Sequence, residues 1–251
     1  MLDSPSENVL YMLRVLCSIT TDYSMQICVL CLTDDPFDPP GHGRHGGSHR
    51  VMFDMGRHFV RRGATITYVC RRNSTDKATF EQLGARCRIH RIPVGPPERM
   101  PYYACAGLLD EMTEAVGATI DLTPGSFDCL VSYNWLSGEV AARLCPPSIS
   151  HTHYVLTLGR AKRASGESKD KISDFWLACE DNVFAHARYV ITGSTRERQD
   201  LLSLYPAVNP EKIFCIPPGV DLNVYGRRPR SADHLVRRAS DRFSEGPNDA
   251  G

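Results

Sequence analysis

The chain has 251 residues, 42% of them hydrophobic, enough to bury the core of one large domain or two small ones. Lysine plus arginine equals aspartate plus glutamate at 29 each, so no overall field draws the molecule to nucleic acid or to an anionic membrane. No apolar run approaches the roughly 18 to 20 residues of a spanning helix.

The N-terminal NVLYMLRVLCSIT is interrupted by Arg14 and follows acidic rather than basic residues, unlike a signal peptide. The chain therefore reads as cytoplasmic. The ten cysteines lie mostly inside apolar runs, where a thiol acts as a small buried hydrophobe. Cys28 and Cys31 form a C-x-x-C, but residues three apart on a strand point to opposite faces and cannot share a metal.

Residues 1–24 show no clear periodicity and read as an N-terminal extension. MQICVLCL (25–32) is a continuous apolar run of the kind found in strands buried on both faces. Val51, Met52, Met55 and Phe59 then recur at helical spacing, with Gly63 as a left-handed cap. ATITYVC (64–70) predicts a second strand and RCRIHRIPV (86–94) a weaker one. A helix over about 101–117, a buried strand FDCLVSY (127–133), a helix near 136–144 and a short strand SISHT (148–152) follow.

GRAKRASGESKDK (159–171) is polar and glycine-containing, and predicts a mobile loop. After it come a long helix (172–187), the strand YVIT (189–192), a helix opened by the capping-box pair Ser194 and Glu197, and KIFCIPPGVD (212–221). Beyond Arg227 charge, Ser, Gly and Pro replace aliphatic residues, and 227–251 reads as a disordered tail. Alternating strands and helices predict one Rossmann-like, doubly wound parallel sheet over 25–226, with its ligand beyond the carboxyl ends of the strands.

GHGRHGG (41–47) matches the dinucleotide fingerprint G-x-G-x-x-G letter for letter. In that fingerprint the first glycine turns the chain almost at the strand's end, whereas here TDDPFDPP separates Leu32 from Gly41. Arg71 and Arg72 stand where an acid would hold the ribose, so an NADP enzyme is one reading. The alternative is that Gly46 and Gly47, at a helix start, leave bare N–H groups facing a diphosphate. His42, His45 and His49 lie in a flexible loop without set angles, which does not make a zinc site.

HGGSHRVMFDMGRHFVRRGATITYVCRR resembles the opening of the family 4 retaining glycosyltransferases. YNWLSGEVA (133–141), TLGRAKR (157–163) and ITGSTRERQDLLSLYPAVNPEKIFCIPPGVD (191–221) agree with that family in order, over about residues 25–225. The resemblance implies the N-terminal, acceptor-side half of a GT-B enzyme. In such an enzyme Gly46 and Gly47 contact the donor's diphosphate across the cleft and stabilise charge on the leaving phosphate. It implies no cofactor and no metal; the donor is a nucleotide sugar, a UDP-sugar in preference to a GDP-sugar, and the acceptor a sugar or cyclitol.

Tyr133 and Asn134 stand where the family has His-Tyr, and with Arg44 and Lys162 they are the implied acceptor contacts. Trp135 starts an apolar helix face and reads as packing. The family's histidine near the reacting sugar falls on His153 when aligned from Pro147, and on Leu156 when aligned back from Lys162; the first register follows the strand end and is favoured. Donor binding in the family uses a C-terminal Glu-x₇-Glu motif, and no two glutamates here stand eight apart. Three functions stay open at this point: an enzyme half working with a donor domain on another chain, a non-catalytic remnant or binding module, and an NADP oxidoreductase.

Overall fold

The computed structural model describes residues 25–38, 47–101, 103–166 and 172–219. The extension at 1–24 and the tail at 227–251 lie outside these. Eight strands form one sheet in the order β3-β4-β2-β1-β5-β6-β7-β8. They are β1 (Gln26–Leu30), β2 (Thr65–Arg71), β3 (Phe80–Gly84), β4 (Cys87–Ile92), β5 (Cys129–Tyr133), β6 (Ser150–Tyr154), β7 (Tyr189–Thr192) and β8 (Ile213–Cys215). All neighbours are parallel except β3 and β4, which pair antiparallel with a register shift between Gln82 and Gly84. β3 is an edge strand that the sequence pattern did not predict, because its first three residues are exposed.

Helices connect the parallel strands: α1 (Gly47–Arg61), α2 (Leu109–Thr119), α3 (Asn134–Leu144), α4 (Gly159–Ala164), α5 (Asp174–His186) and α6 (Thr195–Leu204). β1 alternates its side chains between two cores. Ile27 and Val29 pack with Met52, Phe59 and Tyr68 on the α1 side, while Cys28 and Leu30 pack with Met112, Val116 and Leu136 under α2 and α3. Cys31 joins the α1-side core, so the two cysteines of C-x-x-C face opposite layers. A third cluster around Phe184, Leu201 and Tyr205 packs α5 against α6.

Local chemistry sets the element ends. Gly63 (φ 90) turns the chain out of α1, and Ser173 Oγ accepts the Trp176 N–H at the start of α5. Ser194 Oγ likewise accepts the Glu197 N–H, while the Glu197 carboxylate reaches back to the Gly193 N–H at 2.7 Å. That is the predicted capping pair, displaced by one residue on its return contact. The expected mobile loop at 159–171 is corrected in its first half: Gly159–Ala164 is helical.

The order of connection reverses at β1, which has β2 on one side and β5 on the other. In an open α/β sheet a crevice forms beyond the carboxyl ends of two such strands. The residues that follow β1 and β5 therefore form the candidate site.

Candidate functional site at the β1–β5 switch point

Four residues join the two strand ends. Asn134 opens α3 with φ 60, a left-handed conformation that asparagine tolerates better than most residues. Its Nδ2 donates to Thr33 Oγ1 at 2.8 Å, and its Oδ1 accepts the Ser137 N–H at 3.1 Å as a capping side chain does. Ser137 Oγ in turn accepts the Leu32 N–H at 2.9 Å, and the Thr33 hydroxyl donates to Asp34 Oδ2 at 3.0 Å. Asp34 Oδ1 lies 3.4 Å from Nε2 of His49 in the first turn of α1. A polar seam thus runs from α3 across β1 to the amino end of α1. Of these residues the sequence singles out only Asn134, as an implied acceptor contact; Thr33, Asp34 and Ser137 carry no signal beyond a position just after a buried strand or in a helix's first turn.

The floor of the β1 loop is ionic. Asp35 is 1% exposed and accepts from Arg91 Nε at 2.8 Å and Lys77 Nζ at 2.7 Å. Burial alone would raise its carboxyl, but Arg91 and Lys77 hold it below the ordinary carboxylate range. Asp38 accepts from Asn73, Arg99 and Lys77. Arg71 donates to the carbonyls of Pro96 and Glu98, and Arg72 to those of Lys77 and Thr75. Both guanidinium groups are engaged in ordering loops, which removes the ground for a 2′-phosphate site on this pair.

His153, the histidine favoured by the alignment from Pro147, is the penultimate residue of β6 and pairs with Ser132 near the strand's carboxyl end. It is 3% exposed, with its ring under α3 and edge-on to Phe184 at 5.8 Å. Its Nδ1 and the Nε2 of His151 both lie 2.9 Å from Ser132 Oγ. A hydroxyl has one proton, and Ser132 Oγ has no other partner among the described residues, so that proton goes to one imidazole and the other imidazole donates to Oγ. His151 Nδ1 is buried without a hydrogen-bond partner, and an unmet acceptor there costs less than an unmet donor. We therefore assign His151 as the Nε2–H donor and His153 as the acceptor at Nδ1. Burial pushes both pKa values down to about 3, so both rings are neutral.

Strand alternation sets the direction of the rings. His151 and His153 point with Ser132 to the face covered by α3 and α5, while Tyr154 points to the α1 face and stacks on Tyr133 at 5.3 Å. Beyond β6, the Val155 N–H donates to the Ile191 carbonyl, and Leu156 comes next, partly buried against the α1-side core.

Tyr133, the implied acceptor contact before Asn134, is the last residue of β5. It is 1% exposed, and its hydroxyl points to Met55 Sδ at 3.5 Å inside the α1-side core. Burial pushes its pKa well up, so the phenol stays neutral. Asn134 lies in the seam, and Lys162 on α4, the helix that follows β6. Gly47 is the first residue of α1. Arg44 and Gly46 lie outside the described residues, as do His42 and His45. Trp135 is buried and stacks on Trp176 at 5.4 Å, as its reading as packing anticipates.

Comparison with known proteins gives a concordant result. The model of the family described as Glycosyltransferase Family 4 matches residues 45–224. The D-inositol 3-phosphate glycosyltransferase of Stackebrandtia nassauensis is 27% identical over 203 residues, which is 80% of this chain and 46% of the relative. The protein of the same name from Thermomonospora curvata is 26% identical over 221 residues, 86% of this chain and 50% of the relative. The chain spans about half the length of the curated relatives it matches. Among solved structures, sucrose-phosphate synthase from Thermosynechococcus elongatus superposes with a TM-score of 0.72 and 21% identity, over 80% of this chain and 49% of that one. That likeness is one of fold. Among the described residues, no helix is long and apolar enough to cross a membrane.

Proposed function

The chain belongs to glycosyltransferase family 4, and on that premise we propose that its fold supplies the acceptor-side wall of a retaining sugar transfer from a nucleotide sugar. The observation that carries this reading is the polar seam of Thr33, Asp34 and Asn134 at the switch point, beside the amino end of α1. An acceptor hydroxyl in the crevice would meet the Asp34 carboxylate and the Thr33 hydroxyl. The N–H groups at the start of α1, opened by Gly47 after Gly46, would meet a diphosphate. The acceptor class is a phosphorylated cyclitol or sugar, as the name of the inositol-phosphate relatives suggests. The donor is a nucleotide sugar, a UDP-sugar by preference, whose base and sugar are held by a second domain.

Retaining transfer of this kind asks the acceptor wall to orient a hydroxyl and exclude water, and to place donors near the leaving phosphate. A titration of the chain with D-inositol 3-phosphate, followed by amide NMR, tests the reading. Shifts confined to the seam and to α4 support it, and an unchanged spectrum at millimolar ligand sinks it.

A second reading, that of a binding module without catalysis, has one observation in its favour. Leu156 follows the end of β6, where the alignment from Lys162 places the family's histidine, and an isobutyl group cannot hydrogen-bond a reacting sugar. The two readings differ in one measurement: turnover of the chain combined with a donor domain of a relative. Sugar transfer would exclude the module.

A further inference from the structure

Glu180, in the middle of α5, has a role that neither the sequence motifs nor the acceptor seam accounts for. It is 2% exposed. Its two oxygens accept the Gly159 N–H at 2.9 and 3.1 Å, the Trp176 indole donates to Oε1 at 2.9 Å, and the Tyr205 hydroxyl donates to Oε2. The donors come from α4, α5 and the residue that ends α6. Burial pushes the Glu180 carboxyl up, against the pull of these donors. A buried carboxylate is costly unless it is fully hydrogen-bonded, and this one is met on both oxygens.

What it accomplishes is visible at α4. This helix has six residues, too few to stand alone in water. Leu158, at its N-cap, has no side-chain acceptor, and its first turn holds no acid. The cap is supplied instead by Glu180, twenty-one positions along the chain. Gly159 makes the approach possible, since a Cβ there would lie 2.9 Å from Glu180 Oε2 and 2.8 Å from Leu177 Cδ2. Further bonds set the helix's orientation: the Arg160 N–H donates to Tyr205 Oη at 3.2 Å, and the Arg160 guanidinium pairs with both oxygens of Asp181. Arg163 pairs with Asp174 at 2.7 Å. Lys162 sits between these two anchored arginines.

We propose that Glu180 is a positioning residue for acceptor recognition: its buried carboxylate caps α4 at its amino end, so that Lys162 is held in place for the phosphate of a phosphorylated acceptor. The inference rests on the acceptor reading above and adds to it a residue that touches no substrate. Arg160 and Arg163 bind the rest of the helix to α5, so loss of the cap loosens α4 and Lys162 without detaching them.

The test uses the 251-residue chain with D-inositol 3-phosphate and unphosphorylated inositol as probes, and hydrogen exchange over residues 159–164 as a second readout. Glu180→Gln keeps the volume but turns an amide NH₂ toward donors. It should weaken D-inositol 3-phosphate binding by roughly tenfold, the value of one charge-assisted hydrogen bond, and leave unphosphorylated inositol unchanged. Lys162→Ala should do the same, and the double variant should bind no worse than Lys162→Ala alone, because both act through one group. Exchange in α4 should speed up while β5 and β6 stay protected. If Glu180→Gln fails to fold, Gly159→Ala displaces the carboxylate without altering charge and should give the same pattern. Additive losses in the double variant, or unaltered exchange in α4, overturn the proposal while wild-type binding leaves the acceptor reading intact. A wild-type chain that binds neither probe overturns the acceptor reading and the role of Lys162 with it.

Discussion

A methyl group on Gly138 would lie 2.9 Å from both Nδ1 and Cε1 of His153. The contact explains why the imidazole fits beneath α3, and it makes the site intolerant of growth. Alanine is intrinsically better than glycine in a helix by about 1 kcal/mol. Here the added carbon also meets Val183 Cγ2 at 2.8 Å, and Val183 is fully buried. Overpacking of that kind costs about 1–3 kcal/mol, so the net expectation for Gly138→Ala is a lower melting temperature. A higher one would mean that the imidazole can swing away from Ser132 at little cost.

The two neutral imidazoles carry a pH dependence of defined sign. Their folded pKa values, about 3, lie below the ordinary histidine value of 6.5, because burial disfavours the charged ring. The unfolded chain then binds more protons as pH falls through 6.5, so stability present above that value drains away toward pH 3. Each ring contributes up to about 1.4 kcal/mol per pH unit in that window. Asp35 acts lower down: its pKa is depressed below 3.8, so its contribution is present above that value and is lost only in stronger acid. Urea unfolding of the wild type and of His151→Gln at steps from pH 7 to 4.5 separates the two. The variant should lose stability less steeply, and parallel curves would show that the histidines do not govern this range.

Asn134 is expected to matter for stability as well as for the crevice. Replacing it by alanine removes its bonds to Thr33 and Ser137 and leaves a side chain ill-suited to φ 60. A lost cap costs about 0.5–2 kcal/mol and the left-handed backbone about 1–2 more. Asn134→Gly relieves the backbone and should recover that second part. Equal melting temperatures for the two variants would show that the hydrogen bonds, not the backbone, dominate.

The sequence made the buried strands legible because a strand covered on both faces needs a run of apolar residues, as 25–32 and 127–133 show. β3 escaped because an edge strand need not be apolar; Phe80, Glu81 and Gln82 are all exposed. α4 escaped for a different reason. Its N-terminal cap is Glu180, and a cap delivered from another helix leaves no local signature. Within the site, the shared face of His151 and His153 followed from alternation, but which side that face looked toward depended on α3 and α5. Asn134 was found by its place in a motif, although its amide turned out to bind protein on both sides.

The 251-residue chain on its own is expected to bind a nucleotide sugar no better than about millimolar and to transfer none. Retaining transfer asks for the donor to be fixed in one geometry with its leaving phosphate stabilised from both walls of the cleft. The amino end of α1, with Gly47 as its first residue, supplies N–H donors from one wall. Hydrogen bonds made in competition with water net only about 0.5–1.5 kcal/mol each. Two or three of them fall short of the roughly 8 kcal/mol that micromolar affinity needs. Gly47→Val should weaken even this binding without lowering the melting temperature, since a β-branched side chain crowds the N–H groups that a helix start offers an anion. Calorimetry with UDP-glucose, UDP-N-acetylglucosamine and GDP-mannose decides the matter. Micromolar binding or any turnover would mean that the described fold holds a donor site of its own, and the one-wall reading would have to be abandoned.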